Sequence, residues 1–126
     1  MSVFSRAGFE KFVSGLPAAT FHEQWDSLVA KVGGKVFCLF SPVDETSGTI
    51  AFKCSETAFE ILSSIEGVGQ APYFAKRQWV AIVPDAAIDD DEVEAYLRVA
   101  HGIIASKLTK KLQAELGLTS VANKAG

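Results

Sequence analysis

Two adjacent glycines, Gly33 and Gly34, constrain the fold of this chain more than any other feature of its sequence. They lie between two strand-like runs, residues 28–32 and 35–40. A two-residue connection between strands requires positive φ angles, which glycine adopts without steric cost. The pattern therefore predicts a tight hairpin within an antiparallel sheet.

The rest of the sequence alternates between helical and strand-like patterns. Apolar residues at helical spacing predict helices over about 5–14, from the N-cap Ser55 to about 67, and from Asp89 to about 107. Asp89 and Glu92 have the spacing of a capping box, and Thr109 is the expected N-cap of a short extension to Leu116. Beside the hairpin, strands are expected over 20–24, 49–54, 72–76 and 78–83.

This order of elements predicts an α+β fold. We expect a two-layer sandwich in which helices pack on one face of an antiparallel sheet of five or six strands. The 126 residues, 48% of them hydrophobic, suffice for a single domain spanning 1–126, with a core of about 5–116 and a flexible tail at 117–126. Alternating βαβ units are absent, which disfavours a Rossmann or P-loop architecture.

The sequence also bears on the compartment. No stretch approaches the roughly 20 apolar residues of a membrane helix, and the N-terminus lacks the pattern of a signal peptide. We therefore expect a cytoplasmic protein that does not enter membranes. Cys38 and Cys54 lie among apolar neighbours and are expected to be buried, reduced thiols.

The chemistry-bearing residues form no recognisable catalytic or metal-binding motif. The Gly33-Gly34-Lys35 segment lacks the spacing of a phosphate loop and precedes a strand instead of a helix. His22 and His101 lie far apart, without the spacing of zinc ligands. We expect no catalysis, no cofactor and no metal site, and a zinc site or a Cys–His pair is the less favoured alternative.

The negative charge is concentrated in one short segment. The chain carries 12 Lys and Arg against 15 Asp and Glu, a formal net charge of −3, which is unlike a generally basic nucleic-acid-binding protein. Residues 85–94 hold six of these acids, and without them the net charge would be +3. Acids in the first turn of a helix complement its dipole, so a structural role is expected, with weak cation or protein contact as an alternative.

The positive charge falls at hairpin, strand and helix ends. Tyr73 and Trp79 flank the basic pair Lys76-Arg77, and lysines cluster at 107–111. Cations beside aromatic residues on strands can neutralise phosphates and stack on bases.

Four short segments, taken together, resemble the MmcQ/YjbR family. They are the hairpin at 32–37, the strand end and helix start at 52–55, the strand pair at 73–79 and the helix end at 107–111. The resemblance implies a two-layer fold similar to that of the frataxin-like CyaY proteins, and DNA binding through two β-hairpin wings. Carried onto this sequence, the candidate nucleic-acid-binding residues are Lys35, Lys53, Lys76, Arg77 and Trp79, together with the helix-end Lys107, Lys110 and Lys111.

The resemblance therefore implies a DNA-binding protein without catalysis, which we expect to be a monomer or a weak dimer. Two alternatives remain. One is a protein–protein interaction or regulatory module that docks through the acidic helix start or the basic helix end. The other is weak metal binding by the acidic run, which the frataxin-like fold suggests by analogy alone.

Overall fold

A computed structural model describes residues 2–24, 26–71 and 78–119 of the protein. Within these residues the chain forms six strands and four helices. In chain order they are α1 (Arg6–Ser14), β1 (Ala19–Gln24), β2 (Ser27–Val32), β3 (Lys35–Pro42), β4 (Gly48–Lys53), α2 (Glu56–Leu62), β5 (Val68–Gln70), β6 (Trp79–Ile82), α3 (Asp90–Ser106) and α4 (Lys110–Glu115).

The described strands form one antiparallel sheet in the order β1-β2-β3-β4-β6-β5. The predicted hairpin is confirmed: Val32 pairs with Lys35 across the turn, where Gly33 has a φ of 58° and Gly34 a φ of 81°. Both angles lie in the left-handed region, which an L side chain disfavours. The two glycines therefore make the two-residue turn possible.

The helices pack on one face of this sheet, as predicted. The cross-strand rows Cys38–Phe52–Val80 and Phe40–Ile50–Ile82 lie in the same buried cluster as apolar residues of α1, α2 and α3. Phe9 of α1, for example, packs on Phe40 with ring centroids 5.5 Å apart. The α+β fold of two layers is therefore confirmed, and its main core lies between the helices and the sheet.

A smaller apolar cluster covers part of the other face. Val29, Leu39 and Ala51 stand side by side on β2, β3 and β4, and they are buried together with Ala71 and Trp79. Alternation along a strand sends successive side chains to opposite faces, so this cluster is separate from the helix-side core. The sheet is apolar on both faces in this region.

The local structure differs from prediction between the second helix and the last strand. The helix α2 begins after its N-cap Ser55 as predicted, but it ends at Leu62 instead of continuing to about 67. A three-residue strand, β5, follows and pairs with β6. No strand was predicted there, because three residues are too few to show an alternating pattern. The predicted strand at 72–76 lies outside the described residues.

The start of α3 is correctly placed, but its predicted capping box is wrong. Asp89 is the N-cap, yet its side chain makes no cap hydrogen bond. Instead, the neighbouring carboxylate of Asp90 accepts a hydrogen bond of 3.1 Å from the backbone N–H of Val3. A carboxylate at this position still complements the helix dipole, so Asp89 and Asp90 stabilise the start of α3 without the hydrogen bonds of a capping box.

The packed core extends beyond 5–116 at both ends. Val3 and Phe4 are buried before α1, and Leu118 is fully buried after α4. The predicted helices 5–14 and 89–107 and the Thr109 cap agree with α1, α3 and α4. Residues 120–126 of the expected tail lie outside the described residues.

The turn glycines give a first testable prediction. A Cβ atom on Gly33 would come within 2.5 Å of the side chain of Leu108, whereas one on Gly34 would meet nothing within 4 Å. Both substitutions impose a left-handed alanine, at about 1–2 kcal/mol. Gly33→Ala must also displace a buried leucine, at about 1–3 kcal/mol more. Urea unfolding should therefore show the larger loss for Gly33→Ala, and equal losses would contradict this packing.

Candidate nucleic-acid interface

The helix α3 spans the molecule from one end of the sheet to the other. Its last turn leads to Leu108, which lies over Gly33 in the β2–β3 turn. At its start, Asp90 bonds to Val3, and the adjacent Phe4 carbonyl accepts a hydrogen bond from the N–H of Gly48, where β4 begins. A helix of 17 residues is about 25 Å long, so these two ends are well separated.

Four lysines gather where α3 ends, and we call this surface the lysine end. Lys35 pairs with Val32, whose side chain belongs to the helix-side core, so Lys35 lies on the helix-covered face of the sheet. All four side chains are exposed, and none forms a salt bridge with any residue that the structure describes. The lysine end consists of Lys35, Lys107, Lys110 and Lys111.

A buried glutamine holds α4, and hence two of these lysines, in place. Gln113 is 9% exposed, and its side-chain Nε2 donates hydrogen bonds of 3.0 Å to the carbonyls of both Ala105 and Leu108. The last carbonyls of a helix lack the i+4 partner of its interior, so this amide supplies the partner of the Leu108 carbonyl and adds to the hydrogen bond that the Ala105 carbonyl accepts from the N–H of Leu108. Sequence reasoning missed Gln113, because nothing local shows that this polar side chain turns inward.

The acids gather at the opposite end, which we call the acidic end. There Asp44 accepts hydrogen bonds from the backbone N–H groups of Thr46 and Ser47, which hold the pKa of this exposed carboxyl below its usual value. The strand register and the start of α3 place the other acids on the same side of the molecule. The acidic end consists of Glu23, Asp26, Asp44, Glu45, Asp85, Asp89, Asp90, Asp91 and Glu92.

The distance between the two ends decides how they influence each other. At physiological ionic strength the Debye length is about 8 Å, roughly a third of the length of α3. Acids at the start of α3 are therefore largely screened from a ligand bound at its other end. The net charge of −3 describes the whole chain, whereas the lysine end presents a local positive field.

The structure separates Lys53 and Trp79 from the lysine end. They are register partners on the face of the sheet away from the helices. Lys53 is 9% exposed and donates a hydrogen bond of 3.2 Å to the side chain of Gln78, while Trp79 is 8% exposed. Buried groups of this kind are not presented to phosphates or bases. Of the remaining candidates, Lys76 and Arg77 lie outside the described residues.

Comparison with known proteins decides the family. The sequence model of the YjbR family matches residues 14–103, which is more than half of the chain. The chain belongs to the YjbR family. No curated protein matches it in sequence.

Two solved structures resemble this YjbR protein. A Deinococcus radiodurans protein with a DUF419 domain has a TM-score of 0.80 at 20% identity, covering 91% of this chain and 90% of that one. A Pseudomonas syringae protein has a TM-score of 0.62 at 14% identity, covering 75% of this chain and 94% of that one. At such identities the likeness shows the fold alone.

The two cysteines of this YjbR protein are buried and free, as predicted. Burial raises the pKa of the Cys38 thiol well above its ordinary value and that of Cys54 to about 11. Thiols in such surroundings remain protonated near neutral pH and are poor nucleophiles.

His101 lies in the core between α3 and the sheet. It is 1% exposed, its Nε2–H donates a hydrogen bond of 2.7 Å to the carbonyl of Pro17, and its ring meets Phe37 edge-on with centroids 5.2 Å apart. Burial lowers the pKa of this imidazole below its ordinary 6.5. His101 is therefore a satisfied core residue.

Among the described residues, no group of three or more His, Cys, Asp or Glu side chains is arranged to hold a metal ion. Likewise, none of the helices in the described ranges is both long and apolar enough to cross a bilayer.

An open cleft of about 460 Å³ lies between α1 and α3, where the guanidinium of Arg98 is 4.9 Å from the ring centroid of Phe12.

The buried histidine predicts a pH dependence of stability. Because the folded state lowers the pKa of His101, the unfolded chain binds a proton more readily. The free energy of unfolding attributable to this group should be fully present above pH 6.5 and should decrease as the pH falls below it.

The test compares urea unfolding of the wild type and His101→Gln between pH 8 and pH 5. The decrease in the free energy of unfolding between pH 8 and pH 5 should be smaller in His101→Gln than in the wild type. The exposed His22 offers the matched control, and His22→Gln should retain the wild-type loss. If both variants behave like the wild type, the core histidine does not govern this dependence.

Gln113 supplies a second prediction for the same end of the molecule. Gln113→Ala leaves the carbonyl of Leu108 without its partner and removes one of the hydrogen bonds to the carbonyl of Ala105, at a cost of roughly 1–3 kcal/mol in the free energy of unfolding. Glu115→Ala changes an exposed residue of the same helix and should alter stability by less than about 0.5 kcal/mol. Chemical denaturation that finds the two variants alike would argue against the anchoring role.

Proposed function

We propose that this YjbR-family protein binds double-stranded DNA through the lysine end and performs no catalysis. The observation that carries the proposal is the grouping of Lys35, Lys107, Lys110 and Lys111, all exposed and without a salt bridge to the described residues. Cations that are not already neutralised can replace the counterions of a phosphate backbone, and the release of those counterions drives binding.

The chemistry of the lysine end favours phosphate contacts over base contacts. A lysine ammonium is a point charge on a flexible stem, whereas the reading of a base edge requires fixed, directed donors such as an arginine fork. Trp79, the candidate for stacking on bases, is packed in the apolar cluster on the other face of the sheet. Binding through the lysine end should therefore depend weakly on DNA sequence.

The absence of catalysis is part of the proposal. Both thiols are buried with raised pKa values, and the ring of His101 is engaged by the Pro17 carbonyl. The lysine end consists of four lysines, which can hold an anion. It contains no histidine or carboxylate that could act as a general base.

The salt dependence of binding tests this proposal. If four lysines each neutralise one phosphate, the logarithm of the association constant should fall with the logarithm of the salt concentration with a slope of about −3.6. Fluorescence anisotropy of a labelled duplex, measured between low and physiological salt, gives this slope. Each of Lys35→Gln, Lys107→Gln, Lys110→Gln and Lys111→Gln should reduce its magnitude by about 0.9.

The matched control is Lys11→Gln, because Lys11 is exposed on α1 and lies outside the lysine end. This variant should keep the wild-type slope. A second duplex of the same length and unrelated sequence should bind with similar affinity. If the wild type does not bind at low salt and tens of micromolar protein, or if Lys11→Gln weakens binding as much as the other variants, the proposal fails.

A further inference from the structure

The strand β1 leaves one long edge of the sheet unpaired within the described structure. It is the outermost strand on its side, and its six residues pair with β2 in an unbroken register from Ala19 to Gln24. The opposite edge, β5, has only three residues. Natural proteins protect such edges with proline, charged residues or a bulge. The strand β1 has no proline, lysine or bulge, and the charge of Glu23 is paired with Arg6.

The register shows which backbone groups face outward. Val32 and Lys35 close the two-residue turn, so alternate residues of β2 bond to β3, and the residues between them bond to β1. The β1 partners of those intervening residues are Thr20, His22 and Gln24. Phe21 and Glu23 therefore direct their N–H and C=O groups away from the sheet.

These outward groups suit a second copy of the same strand. If two β1 strands meet antiparallel about a two-fold axis at His22, Phe21 of each copy lies opposite Glu23 of the other. Each such pair exchanges both backbone hydrogen bonds, and the interface is the same on both sides. The two sheets then continue as one.

The charge distribution selects this antiparallel arrangement. In β1, Ala19 lies next to the lysine end, since its partner Val32 precedes the turn, while Glu23 and the following Asp26 belong to the acidic end. Antiparallel pairing therefore turns the acidic end of each copy toward the side of the other copy that carries the lysine end. A parallel pairing would bring like charges together.

We propose that this protein forms a two-fold dimer through antiparallel pairing of β1 with β1 of a second copy. Formation of this dimer requires the edge of the sheet and no DNA. The dimer proposal therefore does not rest on the proposed DNA binding. Because the acidic end of each copy is turned toward the lysine end of the other, dimerisation should weaken modestly as the salt concentration rises.

Sedimentation equilibrium of the full chain, from about 5 to about 500 µM, tests the dimer. The wild type should show a monomer–dimer equilibrium at low salt. Glu23→Pro removes an outward N–H while remaining compatible with an edge strand, so it should weaken dimerisation about tenfold or more. Glu23→Ala is the matched control, because it also removes the ion pair of Glu23 with Arg6 but keeps the N–H. It should still dimerise.

Hydrogen exchange of the wild type tests the same contact without a substitution. The amides of Phe21 and Glu23 should exchange rapidly in dilute protein and become protected in concentrated protein. The amides of Thr20 and His22 bond to β2 and should be protected at both concentrations. A wild type that stays monomeric throughout, exchange that is independent of concentration, or equal dimerisation of Glu23→Pro and Glu23→Ala would overturn the proposal.

Discussion

The packing of α3 along the sheet is the constraint on which the rest of the structure depends. Its buried residues recur every three or four positions from Val93 to Ala105, so the helix has one face that can lie on β3 and β4. Leu108 seated on Gly33 fixes one end, and the hydrogen bond from Val3 to Asp90 fixes the other. With both ends held, the helix cannot slide, and the charged groups at its two ends stay apart.

This placement favours stability and also suits the proposed DNA contact. Acids at the start of a helix and cations at its end are favoured by the helix dipole whatever the protein does. Because α3 runs along the strands from one end of the sheet to the other, the same preference separates the two signs of charge across the molecule. The exposed lysines at its end are thus left without acidic neighbours from its start. The proposed DNA contact and the proposed antiparallel dimer both follow from this separation.

The two-layer fold and several local features could be predicted from the sequence, whereas the Asp89 capping box, the end of α2 and the long-range contacts of single polar side chains could not. The Gly33-Gly34 turn and the N-caps Ser55 and Thr109 depend on a few neighbouring residues, and the structure agrees with each. The burial of Lys53 depends on a second apolar cluster on the far face of the sheet, which no short pattern reveals. Gln113 turns inward because α4 folds back on α3, a contact that a reading of neighbouring residues cannot detect.

In the proposed function, DNA meets the lysine end, which α3 holds far from the acids. The most direct test is a titration of the ¹⁵N-labelled protein with a short DNA duplex at low salt, followed by amide chemical shifts. Shifts should be confined to the Gly33-Gly34 turn, Lys35, the end of α3 and the start of α4. Shifts centred on the acidic end, or no shifts at all, would contradict the proposed function.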